Sequence, residues 1–139
     1  MSERSGKLPE FVLDGASFTD LAGFFATVSS TLGTHPWGRN LDAFNDILRG
    51  GFGTPEGGFA LRCANSDLST HRLGWDQTIR YVEQKLTTCR PDNVPSVQAD
   101  LEAARRQEGQ TLFDIIVEII KVHGPGGQES EDNVHLVLA

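Results

Sequence analysis

Cysteine is scarce in this chain. Two residues, Cys63 and Cys89, among 139 are too few for a disulfide framework. They read as reduced thiols with a packing role, as expected of a cytoplasmic protein. Long apolar runs are missing as well. No stretch approaches the about 18 residues that a membrane-spanning helix needs, so no membrane partner is expected. The segment Met1–Lys7 has no apolar core behind it and is not expected to act as a signal peptide. Positive charge is in short supply: 12 Lys and Arg stand against 19 Asp and Glu, giving a net charge of −7 and a pI near 4.9. That balance argues against direct contact with nucleic acid and suits attraction to a basic protein.

Catalytic and cofactor signatures are absent too. The glycine-rich stretch 49–58 has no Lys-Ser/Thr ending and no G-x-G-x-x-G after a strand, so it reads as a connection and not as a phosphate loop. There is no nucleophile elbow and no H-E-x-x-H. The four histidines lie scattered at 35, 71, 123 and 135. No cofactor and no metal is expected, and the chain does not read as an enzyme.

The length implies one domain. Residues 1–9 are expected to be disordered, with a single domain over 10–139. A strand is predicted over 10–14, followed by a helix capped by Ser17 or Thr19, with Asp20 in its first turn. Phe18, Leu21, Phe24, Phe25, Val28 and Leu32 recur at helical spacing, and Gly33 ends that helix. Alternation predicts a strand over 59–64, and Asn65 to Gly74 reads as a loop holding an exposed His71. Ile79, Val82 and Leu86 mark a helix from Trp75 to Cys89. A mostly polar helix near 96–106 follows. Thr111 to Val122 is the most apolar stretch, read as a core helix with Asp114, Glu118 and Lys121 on one polar stripe. His123 to Asn133 reads as a flexible acidic loop, and Val134–Leu138 as the closing strand. Strands joined through helices favour an α/β fold with a small parallel sheet.

The stretch from Pro36 to Leu48 stands apart from the rest. Asn40 is a good N-cap, because its side-chain oxygen can accept from backbone N–H groups of the first turn. Gly50 and Gly51 follow the helix as terminators. Leu41, Phe44 and Leu48 form one apolar face. Asp42 and Asp46, four residues apart, share another. Like charges at that spacing destabilise a helix by roughly 0.2–0.5 kcal/mol. Asp42 recovers part of this from the helix dipole, whereas Asp46 lies too far along to gain much. The pair reads either as two solvated surface acids or as an acidic face presented to a cationic partner.

Trp37-Gly38-Arg39-Asn40-Leu41-Asp42-Ala43-Phe44-Asn45-Asp46 resembles the signature of barstar-type ribonuclease inhibitors: an aromatic, Gly, any residue, Asn-Leu-Asp-Ala, two residues and Asp. Phe11–Gly15 resembles the first strand and turn of that family, and Val134–Ala139 its last strand. The resemblance implies a three-stranded parallel sheet with helices packed on it, with the 96–106 helix as an addition. It implies an inhibitor of a small basic bacterial ribonuclease of the barnase or ribonuclease Sa type, acting as a cytoplasmic antitoxin or immunity protein. In such a reading Asp46 replaces an RNA phosphate in the enzyme's cationic cleft, since a carboxylate accepts short, strong arginine hydrogen bonds. Asp42 engages a second cation, Gly38 and Asn40 shape the loop, and Trp37 packs on the cleft's rim. Arg39, Asn45 and Glu118 complete the expected contact set. Arg39 stands where the family has an acid and Asn45 where it has an aromatic, which implies tuning to a different ribonuclease.

Two other classes fit the residues. One is a non-inhibitory interaction module that uses the same acidic helix. The other is a carboxylate metal enzyme built on Asp42, Asp46 and Glu118. The inhibitor reading requires both aspartates to stand outward, free of partners from their own chain.

Overall fold

A computed structural model describes residues 8–34, 37–50, 53–55 and 57–139. The expected disorder of residues 1–7 lies outside that range, as does Gly51. Pro9, however, is tied down: its carbonyl accepts from the Ala60 N–H at 2.8 Å, so the ordered sheet begins one residue before the predicted strand.

Three strands form the sheet: β1 (Glu10–Asp14), β2 (Phe59–Ala64) and β3 (Val134–Leu138). They are parallel, in the order β1-β2-β3, with Leu13 beside Cys63 and Phe59 beside Val134. Six helices accompany them among the described residues: α1 (Leu21–Leu32), α2 (Leu41–Arg49), α3 (Ser66–Arg72), α4 (Trp75–Thr88), α5 (Val94–Arg105) and α6 (Leu112–Val122). The expected α/β fold, a three-stranded parallel sheet with helices packed on it, is the fold observed.

Alternation along the strands divides the sheet into two faces. Leu13, Phe59, Leu61, Cys63 and Val134 are buried beneath α1, α2 and α6, which contribute Phe24, Phe25, Val28, Phe44, Ile47, Ile116 and Ile120. Val12, Arg62 and Val137 lie in register on the opposite face and are exposed. Burial pushes the Cys63 thiol up to about 11, so it packs as a neutral apolar group. A second, smaller core joins Val82 of α4 to Val97 and Leu101 of α5. The helix expected near 96–106 is thus amphipathic, and its few apolar residues are its attachment.

Three local expectations are corrected. Asp20, and not Ser17 or Thr19, caps α1, accepting from the Gly23 N–H at 2.7 Å. The stretch 65–74 is no loop, since it contains α3. With little apolar periodicity, α3 is held from outside: Arg72 donates to the carbonyls of Gly15 and Phe18 at 2.8 and 3.0 Å. Finally, His123 does not open a flexible exposed loop. It is the C-cap of α6 and is completely buried.

Candidate functional site

The loop ahead of α2 is shaped by its own residues. Arg39 takes a left-handed conformation, with φ 51°, which turns the chain into the helix and leaves its side chain exposed. Asn40 then caps α2 as expected, accepting from the Ala43 N–H at 2.8 Å. Gly38 is exposed, with room beside it for the cap: a Cβ here would meet the Asn40 amide nitrogen at 3.1 Å. Trp37 turns toward its own chain. Its indole N–H donates to Ser29 Oγ at 2.6 Å, and its ring meets Phe25 edge-on at 5.4 Å between centroids. It anchors the loop to α1 and leaves only part of its surface outward.

Leu41, Phe44, Ile47 and Leu48 bury one side of α2, so Asp42 and Asp46 stand on the exposed side. No hydrogen bond or ion pair among the described residues engages Asp42. Its charge is felt by the half-buried Tyr81 of α4, whose hydroxyl is pushed up first by burial and then by Asp42.

Asp46 departs from the expectation that both acids are free of same-chain partners. Its Oδ1 accepts from Arg49 Nη1 at 2.8 Å, although 54% of its side chain remains exposed. Arg49 in turn places Nε and Nη2 on the two carboxylate oxygens of Glu129, at 2.7 and 3.0 Å. The guanidinium is pushed up chiefly by Glu129 and less by Asp46, and Glu129 is held below its usual range by the same contact. Asp46 thus fails the requirement of having no partner from its own chain, but the pair is solvent-exposed and screened, so the carboxylate is engaged and not sequestered.

Asn45, expected among the partner contacts, makes a contact within its own chain. It is half-buried, and its Oδ1 sits 2.6 Å from His123 Nε2. Nδ1 of that ring is 2.6 Å from Asp132 Oδ2. A protonated ring donating to both oxygens satisfies this arrangement, as does a neutral ring with the Asn45 amide turned to donate. Either way α2 is pinned to the segment that follows α6.

Glu118 is exposed on the outer stripe of α6. It borders a groove of about 930 Å³ over β3, lined by Lys121, Val122, His135, Leu136 and Leu138. No hydrogen bond or ion pair among the described residues joins it to Asp42, Asp46 or Lys121. The structure therefore groups Gly38, Arg39, Asn40, Asp42 and Asp46 on one loop-and-helix surface, turns Trp37 and Asn45 inward, and leaves Glu118 on another element. Sequence reasoning missed Arg49, Glu129, His123 and Asp132. Arg49 alone carried a signal, three residues after Asp46.

Asp42, Asp46 and Glu118 form no convergent metal-ligand set among the described residues. The convergent set among the described residues is instead His123, Glu129 and Asp132, with ligand atoms within 4.8 Å of one another. His123 already faces Asp132, and both Glu129 oxygens hold Arg49. The guanidinium fills the cationic role there.

A family model described as Barstar (barnase inhibitor) matches residues 8–97, from the approach to β1 through α4 and into α5. Comparison with curated proteins finds no match.

Proposed function

Because the chain belongs to the barstar family of barnase inhibitors, we propose that it inhibits a small basic ribonuclease of the barnase or Sa type by lodging the α2 carboxylates in the enzyme's cationic cleft. The carrying observation is the pair of exposed aspartates on one side of a capped helix, inside the matched segment. A ribonuclease cleft must bind RNA phosphate with cations, and a carboxylate offers the same acceptor chemistry. Asp46 acts as the phosphate substitute and Asp42 as the second anionic contact. Arg39, Gly38 and Asn40 form the flank of the surface, and the outward edge of Trp37 its rim. Glu118 joins only with a ribonuclease wide enough to reach α6. The net charge of −7 supports fast encounter with a basic enzyme, and association weakens with salt.

The chain's place is beside a ribonuclease toxic to its own cell, as a cytoplasmic antitoxin or immunity protein. The test is titration of RNA cleavage by barnase and by a Sa-type ribonuclease with the purified protein. Inhibition that a mononucleotide phosphate relieves competitively supports the reading. Inhibition that phosphate does not touch contradicts it.

The Asp46–Arg49 pair favours one second reading, an interaction module whose partner is not a ribonuclease. A pull-down from source cells distinguishes them, because the inhibitor must recover a small basic ribonuclease.

A further inference from the structure

Arg49 is the last residue of α2 and places one guanidinium between two carboxylates. Toward Glu129 it presents a bidentate fork, Nε and Nη2 at 2.7 and 3.0 Å. Toward Asp46 it presents a single N–H at 2.8 Å. The fork is the stronger arrangement. Glu129 is well placed to hold it: its backbone N–H donates to the Val122 carbonyl at 2.9 Å, and the same turn carries Asp132 on the buried His123. The three charges sum to a single negative charge shared by two carboxylates. Asp46 Oδ2 has no partner among the described residues.

A cation from a partner therefore does not meet a bare aspartate. It meets a carboxylate with one oxygen already shared and a second cation beside it. A partner guanidinium seeking both oxygens is repelled by Arg49, while a single N–H donor can use Oδ2. Such an unfavourable element is how a surface discriminates between similar partners.

We propose that Arg49 and Glu129 are positioning residues that set which ribonucleases Asp46 can engage, Arg49 competing with the partner's cation and Glu129 drawing Arg49 away. The proposal rests on the inhibitor reading and makes the two residues act with opposite sign. Arg49→Met frees Asp46 and lowers the inhibition constant against barnase. Glu129→Gln releases Arg49 onto Asp46 and raises it. The expected size is about two- to fivefold in each direction, the upper scale of an exposed ion pair.

The experiment measures inhibition constants for the full chain and these two variants, each shown to be folded by its circular dichroism melt. Arg105→Met supplies the same change in net charge elsewhere: Arg105 pairs with Glu83, on the α4–α5 unit. Arg49→Met must tighten inhibition more than Arg105→Met does. The gain must vanish when Asp46→Asn is already present. Equal effects of Arg49→Met and Arg105→Met overturn the proposal and leave the inhibitor reading standing, as does weaker inhibition by Arg49→Met. Inhibition by Arg49→Met alone, without inhibition by the parent, supports it. Absence of inhibition by every form, against both barnase and a Sa-type ribonuclease, overturns both. One further arm needs no ribonuclease. Exchange of the Arg49 Nε–H with water, followed by NMR, must accelerate more in Glu129→Gln than in Asp46→Asn; the reverse order overturns the proposal.

Discussion

The two ends of α2 are wired differently. The first turn is self-sufficient: Asn40 caps it, Asp42 lies near the positive end of the helix dipole, and no described partner holds that carboxylate. The last turn depends on distant chain. Asn45 reaches the buried His123, and Asp46 is joined through Arg49 to Glu129. Two aspartates that look equivalent by spacing therefore differ in kind. One is open, and the other is tethered to the segment between α6 and β3. The family surface is thus oriented by residues far beyond the end of the family match at residue 97.

The largest way to break this contrast is to remove its buried anchor. His123→Ala leaves Asn45 and Asp132 without their partner in the interior, and is expected to lower stability by about 3 kcal/mol in denaturant unfolding. A fall no greater than that of an exposed-surface substitution breaks the claim that the last turn is pinned. At the other end only the cap is at stake. Asn40→Ala is expected to lower stability by about 1 kcal/mol, measured the same way.

Acid sharpens the difference. Glu129 has its carboxyl lowered in the folded chain, first by the Arg49 hydrogen bond. A lowered carboxyl contributes stability that is present above its ordinary value and is lost as pH falls through the lowered one. The Arg49–Glu129 contact is therefore expected intact above the ordinary glutamate value of 4.5 and dissolved progressively below it. NMR titration of the Glu129 carboxyl must show this lowering, and Arg49→Met must abolish it. The smallest effect belongs to the open acid. Asp42→Asn relieves like-charge repulsion with Asp46 and weakens the dipole interaction, two small terms of opposite sign. A change in stability within about 0.5 kcal/mol is expected.

Much of this was legible in the sequence where local rules act alone. Phe24, Phe25, Val28 and Leu32 announced α1, Leu41, Phe44 and Leu48 announced α2, and the Asn40 cap followed from its residue type. The order of strands and helices led to the parallel sheet. What escaped depends on contacts across the chain. Segment 66–72 lacks helical apolar spacing and becomes α3 because tertiary hydrogen bonds hold it. His123 was hidden by Gly124, Pro125, Gly126 and Gly127, whose composition suggested exposure. In the site, the acid pair and its cap were readable. The Asn45–His123 contact was not readable because its partners lie 78 residues apart, nor was the Arg49 fork, because Glu129 is 80 away.

The central claim is that Asp46, despite its tether, occupies the place of an RNA phosphate in a ribonuclease. The inhibition constant of Asp46→Ala against a ribonuclease blocked by the parent chain tests it most directly. The account predicts a loss of about a hundredfold or more, a scale borrowed from close charge pairs of the barnase–barstar interface, with an unchanged circular dichroism melt. Undiminished inhibition by a folded Asp46→Ala protein contradicts it.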